Sequence, residues 1–393
     1  MIPSFMVTGM FRSGTTLAAR MLHANRNIIC ASDPYAPVFK AYRNHFGQQL
    51  TPHFDGESPL ADYYFDKFQS ELFCQLQSAN FDVPLPANFI ANMLPLISKH
   101  SAPFSPLLHD YLHLLKGDTF AELLRSGCHA IEQAYRKDNA QAVGFKEVWV
   151  GEFAPHFLGI AGDAKVIHIV RDPRAVTASN FVSGATYPLL FLARQWRKQA
   201  ALAWLSSTRS DRIKVVKYED IILSPELAAR EICAFLGVDF DEKMIDTGSL
   251  KDGSGKPWQQ NTSYRSSSFG TSSGAGTFNQ ATVEKWQSAL PESYIRNIER
   301  LCGFEMGLFN YPRTFGEISR QDLDAELLFE DDASSFAEWI KPYSGYNYFK
   351  EMSVENYRRA AILAGERMDE RVERLLALDP VIYAKLLSQV APG

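Results

Sequence analysis

The amino-acid sequence predicts an α/β fold: a P-loop-like central parallel sheet flanked by helices, with a helical C-terminal extension. Two observations carry that prediction. Short apolar runs of strand length alternate with longer amphipathic stretches, the pattern of strands joined by crossover helices. The first apolar run then passes through a glycine-flanked turn into a helix, an arrangement best suited to a central strand where the strand order reverses.

Residues 5–9 are an apolar run ending in Gly9, the first strand. Gly9 and Gly14 enclose four residues, the spacing of a phosphate-binding loop, and an amphipathic helix begins at Thr15. Asn27–Ala31 reads as the second strand. Residues 33–140 are rich in aromatics, prolines and histidines, with helical stretches near 60–80 and 118–136, so a helical, aromatic-rich insertion is expected over 35–140. Val143–Lys146 and residues 165–170 are the next two strands, and Pro173 suits the first turn of the helix after them. Residues 188–207 form a long amphipathic helix, Ile213–Tyr218 a fifth strand, and Pro225–Leu236 a helix ended by Gly237. Residues 248–280 are Gly/Ser-rich and read as a mobile loop, and 282–306 return to helix. Beyond Pro312 the chain turns acidic and finishes in a helical stretch over 353–389. The expected organisation is one domain over 1–312, then an acidic linker and helical extension over 313–393.

Composition narrows the class. A hydrophobic content of 46% and a charged content of 22% fit a globular protein with a full core. No apolar run is long enough to span a bilayer, and the first strand starts almost at once, so neither a membrane span nor a signal peptide is expected. The five cysteines, Cys30, Cys74, Cys128, Cys233 and Cys302, have neither metal-ligand spacing nor a disulfide framework. They read as reduced thiols, and a cytoplasmic location is expected. A net charge of −5 argues against a strongly basic surface for nucleic acid or a heparin-like polymer.

Glycines let backbone N–H groups curl around an anion, and the following helix adds the positive end of its dipole. The lysine usual after Gly14 is missing. Thr15 and Thr16 stand there, and Arg12 sits inside the loop. Such a loop is expected to hold a phosphate or sulfate without handling a nucleoside triphosphate and magnesium in the usual way. Arg171 at a strand tip and Ser179, about two turns into the next helix, can grip one phosphate from two sides. The alternative is a helix start capped by Asp172 with surface arginines, Arg174 among them. His168 alternates with Val166 and Val170 on one strand face and reads as a satisfied core histidine.

Together these stretches resemble the sulfotransferases that use 3′-phosphoadenosine 5′-phosphosulfate (PAPS). Arg12-Ser13-Gly14-Thr15-Thr16 is similar to that family's 5′-phosphosulfate loop, and Arg171 through Ser179 to its 3′-phosphate motif. Val215 to Asp220 resembles the strand whose tyrosine, here Tyr218, lies near the adenine; the alternative is a core tyrosine. Trp286 to Tyr311 is a weaker fourth match, and all four stand in family order. The resemblance implies PAPS as co-substrate, 3′-phosphoadenosine 5′-phosphate (PAP) as product, and no formal need for a metal. It implies that Lys146 contacts the transferring group, where the alternative is an exposed lysine paired with Glu147. Asp33 stands where the protein-tyrosine and related branches carry a glutamate, one methylene shorter. It is expected to be the general base, or else to initiate a turn before Pro34, in which case a histidine from 100–113 is the next candidate base. Residues 265–269 resemble a loop that closes over the nucleotide, with Ser267 as one contact.

The function implied is in-line transfer of a sulfuryl group from PAPS to an acceptor hydroxyl, with a carboxylate base. A carbohydrate, a lipid-like alcohol or another small molecule is the expected acceptor. The aromatics of 35–115 either line its pocket or form core. Two other classes share the strand-loop-helix: a nucleoside-type kinase, and a nucleotide-binding protein without catalysis.

Overall fold

The computed structural model describes residues 2–57, 60, 72, 75–76, 78–182, 187–258 and 278–316. Ser267, the C-terminal extension beyond residue 316 and most of the expected helix near 60–80 lie outside them.

Among the described residues five strands form one parallel sheet: β1 Ser4–Gly9, β2 Ile28–Ser32, β3 Ala142–Lys146, β4 Lys165–Val170 and β5 Ile213–Lys217. Their order is β2-β3-β1-β4-β5, so β1 is central and the strand order reverses beside it. The central parallel sheet with flanking helices read from the sequence is the arrangement observed. Val7 pairs with Lys146, Gly9 with Ile169, and Ser32 with Lys146. By this register the carboxyl ends of β3, β1 and β4 lie side by side.

Alternation along the strands sends side chains to two faces. On one, Phe5, Val7, Cys30, Ile167, Ile169 and Val216 pack against Leu17, Met21, Ile221 and Ile232 from the helices Thr15–Ala24, Tyr218–Leu223 and Pro225–Leu236. On the other, Phe145 of β3 meets Tyr35 and Phe157 edge-on, with ring centroids 5.3 and 5.7 Å apart. Phe39, Tyr42, Phe81, Phe120 and Phe153 extend that cluster. Tyr35, Phe39, Tyr42 and Phe81 are thus core aromatics, buried to 2% exposure or less.

The chain divides into two compact units. The first is Met1–Arg43, Ala79–Arg171 and Ser206–Val283, and it holds the whole sheet. The second is Asn44–Ser78, Asp172–Leu205 and Glu284–Gly393. Its described helices include Pro173–Val182, Trp286–Ala289 and Glu292–Leu308, and most of Leu189–Arg209 up to Leu205.

Several elements depart from the sequence reading. The segment 35–140 holds helices at Ala36–Leu50 and Phe89–Ser101 and a 3₁₀ segment at Pro106–Leu114, which an aromatic-rich pattern with Pro95 inside it conceals. Tyr218 opens a helix instead of closing β5. The helix expected over 282–306 is three pieces, because Leu290 is extended and Pro291 restarts the chain at Glu292. His168 is a core residue, 1% exposed, but its Nε2 has no hydrogen-bond partner; burial lowers its pKa to about 3 and keeps it neutral.

Candidate active site

The loop between β1 and the helix Thr15–Ala24 is shaped by its glycines. Gly9 lies so close to β4 that a Cβ would strike the Ile169 carbonyl oxygen. Gly14 caps the helix with φ 84, and a Cβ there would overlap the Tyr218 ring. Arg12 also takes a left-handed backbone, φ 65, and the Ser13 N–H closes the turn on the Met10 carbonyl at 3.1 Å. Successive left-handed and right-handed residues turn backbone N–H groups toward one point. The helix behind them has no acidic residue in its first turn and no side-chain cap, since its cap residue is a glycine. The Ser13 hydroxyl is buried without a partner.

Side chains from the neighbouring strand ends complete this edge. Arg171, just past β4, donates to the Arg12 carbonyl and to the Thr282 carbonyl, each at 3.0 Å. Its guanidinium lies 4.1 Å from the centroid of the Tyr218 ring. Tyr218 is 1% exposed, packed under Gly14, with its hydroxyl 3.0 Å from Thr282 Oγ1. Burial first, and then the nearby Arg171 cation, hold Arg12 below the ordinary arginine pKa. Two guanidinium groups crowded at an uncapped helix start form a positive field that suits a bound anion. The donor set of the loop, with its orphaned Ser13 hydroxyl, thus fits a phosphate or sulfate group.

Lys146 ends β3, on the other side of β1. It is 2% exposed and pairs with the Asp33 carboxylate, not with Glu147 as an exposed lysine would. Asp33 follows β2 with φ 47, and its N–H donates to the Lys146 carbonyl at 2.7 Å. The Trp149 N–H reaches the Gly9 carbonyl at 3.2 Å, and Trp149 stacks on Phe11 of the loop at 6.1 Å. The segment after β3 is thereby fastened to the loop after β1.

The first unit thus brings together Arg12, Ser13, Gly14, Thr15, Thr16, Asp33, Lys146, Arg171 and Tyr218 at one sheet edge. Ser179 belongs to the second unit, half-buried on the helix Pro173–Val182. At the start of that helix Asp172 accepts the Arg174 N–H at 2.8 Å, the capping that the alternative reading of this stretch gives it. Arg174 is not a solvated surface arginine. It is 2% exposed, held by Asp172 and Glu299 at 2.6 Å each, and lies 3.9 Å from the Trp286 ring centroid. Reading the sequence did not single out Thr282 or Trp149, whereas His100 lies in the stretch 100–113 whose histidines are the next candidates for the base. Glu147 did carry a signal, a charge directly after Lys146 at the end of an apolar strand.

Residues 3–242 match the sequence model of the Sulfotransferase family, more than half of the chain. The chain belongs to the Sulfotransferase family. Within it, carbohydrate sulfotransferase 5 of Mus musculus is 27% identical, over 44% of this chain and 48% of the relative. Carbohydrate sulfotransferase 3 of Homo sapiens is also 27% identical, over 38% of this chain and 34% of the relative. The chain therefore spans about half the length of the first relative and a third of the second. Among solved structures, the sulfotransferase domain from the Synechococcus PCC 7002 olefin synthase aligns with a TM-score of 0.44 at 19% identity, covering 79% of this chain and 95% of that one.

Proposed function

We propose that this sulfotransferase-family chain moves a sulfuryl group from PAPS to the hydroxyl of a carbohydrate or similar small acceptor. One observation supports the reading more than any other: three adjacent strand ends present Lys146, the Gly9–Thr16 loop and Arg171 together. In sulfuryl transfer the acceptor oxygen forms a bond to sulfur while the bond from sulfur to the phosphate oxygen breaks. The leaving phosphate gains negative charge. The N–H groups at the start of the helix Thr15–Ala24, the Thr15 and Thr16 hydroxyls and Arg12 are suited to stabilise it. Lys146 is suited to the bridging oxygen. Asp33 takes the acceptor proton. Arg171 is assigned the 3′-phosphate, and on the sequence resemblance Ser179 and Ser267 are assigned to the nucleotide as well. Tyr218, assigned to the adenine by the sequence resemblance, is buried at 1% exposure under Gly14 and Arg171, so the role the geometry supports for it is to back the loop from below. The carbohydrate class of the acceptor is drawn from the names of the two relatives.

The test is transfer of labelled sulfate from PAPS to a panel of carbohydrate and small-molecule alcohols, with the product identified by mass spectrometry. Transfer is expected to persist in EDTA, because the loop and lysine supply positive charge themselves. Activity that is lost in EDTA and restored by magnesium points instead to phosphoryl transfer.

A further inference from the structure

Glu147, directly after Lys146, is 1% exposed. Its Oε1 accepts the backbone N–H groups of Tyr35 and, at 2.8 Å, of Ala36, where the helix Ala36–Leu50 begins. Its Oε2 faces His100 Nε2 at 3.9 Å. His100 lies in the last turn of the helix Phe89–Ser101 with about a third of its side chain exposed (34%). The turn between β2 and the helix Ala36–Leu50 is thus pinned twice by consecutive residues of one strand end. Lys146 holds Asp33 by carbonyl and by ammonium, and Glu147 holds Tyr35 and Ala36. Asp33 needs such restraint, because φ 47 is a conformation that non-glycine residues rarely adopt unaided.

From this juxtaposition we propose that Glu147 and His100 are a positioning pair for the transfer step. They hold the Asp33–Lys146 couple in its reacting geometry, and protonated His100 is the form that does so. The proposal rests on the sulfuryl-transfer reading. A carboxylate with almost no solvent contact needs donors or a cation on both oxygens. Two amides donate to one oxygen; the other faces His100 Nε2 at 3.9 Å, too far for a hydrogen bond, so His100 answers it as a charge when protonated. Burial pushes the Glu147 carboxyl up from its ordinary range, and His100 opposes that push. For His100 burial alone would lower the pKa. Glu147, aided by Asp33 and opposed by Lys146, outweighs it and leaves the value raised above 6.5. The 3₁₀ segment packed against this helix adds His109, Asp110 and His113. His109 is engaged by Ser98, and His113 donates to the Asp110 carbonyl.

The sign follows from the raised value. The pair's contribution is complete below pH 6.5 and is lost as pH climbs through the folded pKa of His100. Transfer by the wild-type chain should therefore show a descending alkaline limb that tracks His100. If His100 were itself the proton acceptor, the limb would ascend.

Two measurements on the full chain test this. With carbon-13-labelled histidine, the His100 signal (assigned by its loss in His100→Gln) should titrate above the usual value in the wild type. It should fall back toward that value in Glu147→Gln. In the transfer assay, Glu147→Gln and His100→Gln should lower kcat about tenfold or more while PAP affinity stays within about twofold, the pattern of a lost positioning contact. His100→Lys, which keeps a cation through neutral pH, should restore most of kcat and move the alkaline limb upward. An unchanged His100 titration in Glu147→Gln, a rate that ascends through the pH range in which His100 titrates, or His100→Lys as inactive as His100→Gln would overturn the proposal. A wild-type chain that sulfates nothing on the panel removes the transfer reading itself. Wild-type transfer with fully active Glu147→Gln removes only the positioning pair.

Discussion

The loop after β1 and the turn after β2 stand on one sheet edge with β3 between them, yet different forces hold them. The loop is held by shape: two glycines pressed on the β4 backbone and on an aromatic ring, and a stacked Phe11–Trp149 pair. The turn is held by charge: Lys146 on Asp33 and Glu147 on the Tyr35 and Ala36 amides. Shape is indifferent to pH and sensitive to a single added carbon. Charge behaves the other way round. An anion-binding loop must keep its N–H groups aimed whatever its occupant, whereas a group that exchanges protons must respond to its surroundings.

The strongest test of that contrast is Asp33→Asn. It keeps the size of the side chain and removes its basicity, so turnover should fall about a hundredfold or more while PAP affinity, set by the loop, stays nearly normal. Calorimetry and steady-state rates on one preparation separate the two; full turnover in the variant would place the base elsewhere. Next in size is Arg171→Ala, which should weaken PAP by about ten- to a hundredfold and adenosine 5′-phosphate much less, as expected for one charge-assisted bond. Equal losses for both ligands would mean that Arg171 acts only by supporting the Arg12 carbonyl. Smaller still, and purely steric, is Gly14→Ala. A left-handed backbone and a collision with Tyr218 should cost about 1–3 kcal/mol in urea unfolding. Pairing it with Tyr218→Ala should recover part of that loss, because the two changes share one contact. Last comes Tyr218→Phe, which keeps the ring and removes the hydroxyl with its contact to Thr282. It should lower stability by about 1 kcal/mol and leave turnover almost unchanged.

The same contrast explains how far the sequence could be read. Shape at the loop is written locally: Gly9, Gly14 and the residues between them are contiguous, and their spacing alone announces an anion cradle. Strand order followed too, because a loop of that kind belongs at a switch point, and β1 is central. The charge network is not local. Asp33 meets Lys146 across 113 positions, and His100 lies on a helix whose period is hidden by Pro95 and its aromatic neighbours. Nothing beside Lys146 in the sequence says which carboxylate it will choose. The adjacent Glu147 was the obvious partner, but its Oε1 is already taken by the Tyr35 and Ala36 amides. Arg174 shows the same limit. Its sequence neighbours suggest a surface helix start, and only Glu299 and Trp286, more than a hundred residues on, explain its burial.

That buried arginine bears on how the chain is completed as it leaves the ribosome. The stretch that carries the family likeness ends at residue 242, before Glu299, Trp286 and Thr314 have been made. A nascent chain of that length already contains every strand of the sheet and all of the glycine loop. The guanidinium of Arg174 would have only Asp172 to answer it, and the Nη2 donor of Arg171 would lack the Thr282 carbonyl. Until Trp286 and Glu299 are made nothing covers Arg174 in the way the finished fold does, so its ion pairs become buried ones only when the later segment arrives. The segment that defines the family is therefore not the segment that finishes the fold.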